Sequence, residues 1–335
     1  MMKDEKNDEV EIKISDLDKL IHRCLGKFGL NDEDARLIRD VLMYAELRGK
    51  SQGLAKIVER TVEPARDAKP MEISNRGLVV THIRCRGEVG MVVLNRAASL
   101  ACDAAIEYGL GAVSTSHTAS STGSIGYYAE KIAERDCIAI VLAGSPKVMA
   151  VINGSEPVMG TNPIAIAVPT DHGPLVFDMA TSAVTWFELI EAARTGRPVD
   201  PNLALNPDGQ PTTDAGEAMA GALRSFGGYK GSGLGLMFEL LTGPLAGAAI
   251  AGDAGDNRGN LVIALNPQNF AGLSEFKKRS TALLDRIRQG RPEQDSVPIQ
   301  LPGEGSRERA AQCTARGSLI IDQDILTELN SLAEG

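Results

Sequence analysis

The sequence predicts an α/β or α+β protein without a Rossmann domain, and three observations carry that expectation. The N-terminal part places apolar residues at helical spacing. The middle holds short β-rich runs bounded by Gly, Pro and Asn. Nowhere does G-x-G-x-x-G follow a strand and open a helix with an acidic residue about twenty positions later. A chain of 335 residues with 43% hydrophobic and 24% charged residues is long enough for a large core and for two substructures.

Asn31 precedes Asp32, Glu33 and Asp34, and Ala35, Ile38, Leu42 and Ala45 follow on one face, so a helix is predicted from Asp32 to Leu47 with a stop at Arg48-Gly49. Lys50-Ser51-Gln52-Gly53 opens a new segment carrying Leu54, Ile57 and Val58. GLVVTH (77–82) is strand-like, and Val92 to Tyr108 has the length and alanine content of a helix. IAIVLA (138–143), AIAVP (165–169) and LVFDM (175–179) are predicted strands. A helical stretch from Leu189 to Arg194 leads into the turn-rich PVDPNLALNPDGQPTTD (198–214), and a long apolar helix is predicted from Leu234. The apolar run from Gly231 to Ala251 is interrupted by Glu239 and diluted by Ser232, Gly233, Gly235, Thr242, Gly243 and Pro244, which suits a buried helix better than a membrane span.

Aromatic content is only 4%, so the core is expected to be built from small and aliphatic side chains, and the single tryptophan, Trp186, stands out. The net charge of −9 repels nucleic acid and anionic membrane surfaces, so neither is an expected partner. The first residues, MMKDEKNDEVEIK, are charged and lack the apolar stretch of a secretory signal. Cys24, Cys85, Cys102, Cys137 and Cys313 are scattered without a CxxC pair, which fits neither a disulfide framework nor a local zinc site; a reducing cytoplasm is the expected compartment. His22, His82, His117 and His172 lack acidic neighbours at ligand spacing, so no catalytic metal is expected, and no Walker pattern is present.

Composition and periodicity stop at that point. Five segments go further: STGSIGYYAEKIAERDCIAIV (121–141), MGTNPIAIAVP (159–169), VFDMATSAV (176–184), DGQPTTD (208–214) and GGYKGSGLGLMFELLTGPLAG (227–247). In that order they resemble the signatures of the malate/L-lactate dehydrogenase family, non-Rossmann NAD(P)-dependent oxidoreductases that also include ureidoglycolate dehydrogenase and piperideine-2-carboxylate reductase. ELRGKSQGLAKI (46–57), GMVVLNRA (90–97) and LPGEGSRERA (301–310) extend the resemblance over nearly the whole chain.

The resemblance implies an α/β fold of the non-Rossmann malate/L-lactate dehydrogenase type. Its cofactor domain would hold a mixed, mainly antiparallel sheet, with helical N- and C-terminal parts. It implies three regions: 1–80 as the N-terminal helical part of the substrate and dimer domain, 81–250 as the nicotinamide cofactor-binding region, and 251–335 returning to the first domain. It also implies a homodimer, NAD or NADP as cofactor, and a small carboxylate substrate, either a 2-hydroxy acid/2-oxo acid or a cyclic imine. Fold alone does not choose between these substrates.

The residues support parts of this independently. Gly228-Tyr229-Lys230-Gly231-Ser232-Gly233, at the start of an apolar helix, offers glycines for close approach, a cation and helix-end donors for a pyrophosphate. Such glycines also serve close helix packing, but the lysine among them favours cofactor contact; the resemblance places Tyr229 and Lys230 on cofactor-contacting positions. Asp178-Met179-Ala180 ends a predicted strand, where the family lines the nicotinamide and ribose pocket. Asp178 can accept from a ribose hydroxyl or orient a catalytic residue, or it can cap the following turn through Thr181 and Ser182. Ser121, Thr122, Gly123 and Thr161 fall in further cofactor segments of the resemblance, with Gly160-Thr161-Asn162-Pro163 shaping the site as a turn. Pro302-Gly303-Glu304 matches another such segment, or is a surface loop.

The catalytic positions depart from the family pattern. Many members read S-H-G followed by an arginine where this chain has Ser51-Gln52-Gly53-Leu54-Ala55-Lys56, so the histidine proton donor becomes Gln52 and the arginine that clamps the substrate carboxylate becomes Lys56. Glutamine donates a hydrogen bond but delivers no proton, and lysine keeps the charge without the bidentate fork. In the ungapped register Ser121 takes a second family histidine position, while His117 matches it only with a short insertion. Three classes stay open on the sequence: an oxo-acid dehydrogenase, whose nascent alkoxide needs a proton from Ser51, Lys56 or a water on Gln52; a cyclic imino acid reductase, whose substrate can arrive protonated; and a catalytically weakened family member that binds nucleotide or acts through assembly.

Overall fold

The computed structural model describes residues 9–50, 52–250, 252–253, 257–294 and 297–334. The chain opens with β1 (Glu9–Lys13), α1 (Ile14–Lys27), α2 (Asp32–Leu47) and the single turn α3 (Ala55–Val58). Asn31 caps α2 by accepting from the Asp34 N–H at 2.9 Å, and the three acids that follow suit the positive end of the helix dipole. Leu17, Ile21, Cys24, Leu25, Ile38, Val41 and Leu42 turn inward from α1 and α2 at helical spacing.

Next come β2 (Glu72–Asn75), β3 (Val80–Arg84), α4 (Gly90–Tyr108), β4 (Leu110–Thr118), α5 (Gly126–Ala133), β5 (Ile138–Ala143), β6 (Ile164–Val168), β7 (Leu175–Met179) and α6 (Trp186–Thr195). A small unit follows, made of β8 (Ala204–Leu205), α7 (Ala215–Ala220) and β9 (Ala222–Leu223). The chain then forms α8 (Tyr229–Thr242), β10 (Arg258–Leu265), α9 (Leu273–Arg288), α10 (Glu304–Arg316), β11 (Ser318–Asp322) and α11 (Gln323–Glu334).

A seven-stranded sheet in the order β2-β3-β4-β10-β5-β6-β7 forms the centre. Only the β3–β4 pair is parallel, so the sheet is mixed and mainly antiparallel. Its alternation sets two faces. Ala139, Val141, Ala143, Val262 and Ala264 belong to the main core with α4 and α5, while Leu142 and Leu261 meet Phe238 of α8 on the opposite side. β1 pairs antiparallel with β11, and α1 packs on α11, so the two described ends of the chain meet.

Three boundaries differ from the sequence expectation by three residues or more. The strand predicted at 77–82 begins at Val80, because Gly77-Leu78-Val79 forms the tip joining the antiparallel β2–β3 pair, with Leu78 78% exposed. The helix predicted from Leu189 begins at Trp186, fixed by a capping box in which Thr185 and Glu188 satisfy each other's backbone N–H groups. The apolar helix begins at Tyr229 and is not buried all round. Gly231, Ser232, Gly235, Phe238 and Thr242 form its packing face, whereas Leu234, Leu236, Met237 and Leu240 stay more than 40% exposed on this chain.

Candidate active site

Two hydrophobic side chains hold the α3 turn. Leu54 and Ile57 are wholly buried, and between them Lys56 is carried to a cavity of about 1530 Å³ while remaining only 6% exposed. The approach to this turn is fixed by Glu46 on α2, whose carboxylate accepts from the Leu54 N–H at 3.0 Å. A Cβ on Gly53 would lie 1.9 Å from that carboxylate. Gly53→Ala is therefore expected to displace Glu46, break this bond and lower stability by about 1–3 kcal/mol, read as a shifted midpoint in a urea melt.

The facing wall is the loop after β4. Ser121 donates its backbone N–H to the Thr61 carbonyl at 3.0 Å, which ties this loop to the segment after α3. The buried Tyr128 gives its hydroxyl to the Thr122 carbonyl at 2.8 Å, fixing the loop from behind. Gly123 has φ of +65°, and a Cβ there would press on Val41 and Met91, so glycine is required on both counts. Gln52, Lys56, Ser121, Thr122, Gly123, Thr161, Asp178, Met179 and Ala180 all line the one cavity, although more than 120 residues separate the first from the last.

Of the parts open on the sequence for Asp178, the cap on the following turn is not seen. One carboxylate oxygen receives Lys50 Nζ at 2.6 Å, the Ser124 hydroxyl at 3.0 Å and the Gly126 N–H at 3.2 Å, while Thr181 and Ser182 bond elsewhere. It joins the loop before α3 to the first turn of α5 and forms the wall shared with a second cavity of about 370 Å³. Pro302 and Gly303 line that second cavity; Glu304 is turned to Arg288 and to the Leu301 N–H.

Three further candidates stand apart from this cluster. Tyr229 is 70% exposed and Lys230 is also exposed, and neither lines a described cavity. His117 likewise lines neither. Its ring nitrogen meets the Ser116 hydroxyl at 3.0 Å, and burial with the nearby Arg84 holds its titration below the usual imidazole range. Ser51 lies outside the described residues.

The electrostatics centre on Lys56. Burial lowers its pKa from 10.5 to about 8, against a smaller opposing pull from Glu59. Because the folded value lies below the unfolded one, the chain loses stability by carrying this ammonium below pH 8 and recovers it as pH rises from about 8 to 10.5.

Sequence reading missed Lys50, Ser145 and Asn260. Asn260, at the start of β10, donates to Thr115 at 2.7 Å and lines the cavity, but its buried Oδ1 has no partner. Ser145 bridges Thr161 Oγ1 at 3.1 Å and the N–H of Asn162, a buried residue whose own amide reaches the Gly235 carbonyl. The local signal that would have found Asn260 is a polar asparagine heading the apolar run LVIAL (261–265).

These features fit a nicotinamide dinucleotide. The cavity is roomy, hydroxyls of Ser121, Thr122, Ser145 and Thr161 are gathered in it, and the orphaned Asn260 acceptor asks for an N–H donor such as a carboxamide. Among the described residues no group of three metal-ligating side chains occurs, and no helix is long and apolar enough to cross a membrane.

Comparison with known proteins agrees with this architecture. Residues 12–330 match the family described as malate/L-lactate dehydrogenase. An L-sulfolactate dehydrogenase of Methanocaldococcus jannaschii is 33% identical over 331 residues, covering 94% of each chain. A dehydrogenase structure from Sinorhizobium meliloti superposes with a TM-score of 0.91 at 31% identity, over 98% of this chain and 99% of that one. The structure of a delta1-piperideine-2-carboxylate reductase from Pseudomonas syringae superposes with a TM-score of 0.86 at 25% identity, over 96% and 99%. The chain belongs to the malate/L-lactate dehydrogenase family, and it is an oxidoreductase.

Proposed function

We propose that this protein transfers a hydride between NAD or NADP and a small 2-hydroxy acid/2-oxo acid. The observation that carries this reading is the convergence, in one cavity, of the buried Lys56 ammonium, the Gln52 amide and the hydroxyl-rich 121–123 loop beside Asn260. When bound, the reduced nicotinamide supplies the hydride. Asn260 would hold its carboxamide, and Ser121, Thr122 and Thr161 would meet its polar groups. Lys56 would anchor the substrate carboxylate, and Gln52 would hydrogen-bond the reacting C=O.

A second reading, reduction of a cyclic imino acid, is favoured by one observation: Gln52, which lines the cavity, has no proton to release, and a substrate that arrives as an iminium needs none from it. Steady oxidation of NADH and NADPH against a panel of 2-oxo acids and cyclic 2-carboxy imines separates the two. Faster turnover of an oxo acid supports the first reading, and turnover of imines alone replaces it with the second. Trp186, the single tryptophan, lines the cavity, so titration with reduced cofactor is expected to quench its emission. An unchanged spectrum at saturating cofactor would remove the nucleotide from this cavity.

The proposal includes a homodimer, supported by the exposed apolar side of α8. A helix apolar on all sides is ordinarily covered, and here the sheet covers only one side.

A further inference from the structure

We propose that Lys56 is the acid that delivers the proton to the substrate oxygen, an inference that rests on the oxo-acid reading above. In a 2-oxo acid the carboxylate and the carbonyl oxygen lie side by side, so one ammonium with three N–H donors can span both. Lys56 is only 6% exposed as part of the α3 turn, yet it lines the cavity together with Gln52, Ser121 and Thr122. As C2 accepts the hydride, the carbonyl π pair takes a proton from Nζ and becomes the hydroxyl. C2 is reduced by two electrons and the nicotinamide oxidised by two. The neutral amine regains a proton from water at the cavity mouth, and the reverse reaction runs through the same amine acting as base.

Among the described residues, the amide, hydroxyl and other cationic groups of the cavity do not fill this role. Gln52 has no proton to release, and Ser121 and Thr122 are hydroxyls of high pKa. The Lys50 ammonium is engaged by Asp178 at 2.6 Å. Arg60, Arg66 and Arg258 hold their protons at every working pH. His117 lies outside the cavity.

Burial puts the Lys56 titration at about 8, near the range in which an acid is both protonated and able to give its proton up. Glu59, on the same turn, is the charged group that opposes the shift. Around the cavity, Glu63 is paired with Arg60, Glu88 receives the backbone N–H groups of Met71 and Arg86, and α6 presents Glu188 and Glu191 at the rim. α11, which packs on α3, carries Asp324, Glu328 and Glu334, of which Asp324 lies 3.7 Å from Arg194.

The test uses the full chain, its best oxo acid, and the variants Lys56→Arg and Lys56→Ala. Wild-type kcat for reduction is expected to be level in acid and to fall above the Lys56 titration near pH 8. Lys56→Arg keeps the charge without a releasable proton, so KM is expected to change little while kcat falls about 100-fold or more and the basic limb disappears. Lys56→Ala is expected to regain turnover with added methylamine. Independently of turnover, competitive acetylation of the wild-type chain across pH, read by peptide mass spectrometry, is expected to place the Lys56 midpoint near 8 rather than 10.5. A folded Lys56→Arg enzyme with wild-type kcat and an intact basic limb overturns the proposal alone. Absence of any oxo-acid turnover by the wild-type chain overturns the underlying reading, and the proposal with it.

Discussion

Asp178→Ala is expected to remove most of the catalytic activity, by about 100-fold or more, because it takes away the one atom on which three parts of the cavity converge. Its carboxylate oxygen receives Lys50, Ser124 and the Gly126 N–H at the start of α5, where a negative charge also complements the helix dipole. Losing it strands the Gly126 donor and lets the loop before α3 drift from the strand end, so stability is expected to fall by about 1–3 kcal/mol. Lys50 is 28% exposed, so water can reclaim its charge and the loss stays within that range. Asp178→Asn keeps an acceptor oxygen for Ser124 and Gly126 but releases the ion pair, and it is expected to fall between wild type and alanine in both thermal midpoint and kcat. An alanine variant with wild-type kcat would show that this wall has no part in the chemistry.

The second large effect is expected on assembly. Met237→Glu and Leu240→Glu place charges on the exposed apolar side of α8, far from the packing face formed by Gly231, Gly235 and Phe238. The isolated fold is expected to tolerate both changes, since each side chain is already nearly half exposed at 49% and 47%. A desolvated interface does not tolerate an unpaired carboxylate, and the double variant is expected to sediment as a monomer where the wild-type chain sediments as a dimer. A wild-type chain that sediments only as a monomer at micromolar concentration contradicts the homodimer.

The local signals in the sequence were strong where an element is defined by its own residues. α2 matches its predicted span because Asn31 and the acids that follow it encode a start and Arg48-Gly49 a stop. β5 and β7 match because their apolar runs are bounded by turn residues. The two strands at the middle of the sheet were less visible. β4 reads LGAVSTSHT and shows no clean β pattern, becoming a strand through long-range pairing with β10, whereas β10 carries a local strand signal in LVIAL (261–265) that the sequence expectation left out. α8 was legible as apolar but not as half-exposed, since one chain gives no sign of what covers its outer face.

The same division runs through the candidate site. Gln52, Lys56, Ser121 and Thr122 lie in contiguous motifs and were found. The Lys50–Asp178 pair joins residues 128 positions apart, and nothing local marks Lys50 as its partner. The environment of Lys56 was equally hidden. That it is a lysine in place of an arginine was visible in the sequence, whereas its burial, which turns a simple counter-charge into a group titrating near 8, depends on how Leu54 and Ile57 seat the turn.

The central claim is hydride transfer to the C2 carbon of a small 2-oxo acid. The most direct measurement incubates the purified chain with a 2-oxo acid and a reduced nicotinamide cofactor carrying deuterium at the transferable C4 position, then weighs the acid product by mass spectrometry. The expected result is a 2-hydroxy acid one mass unit heavier, with the deuterium on C2. Oxidation of the cofactor without deuterium in any acid product, or no product from any oxo acid tested, would contradict it.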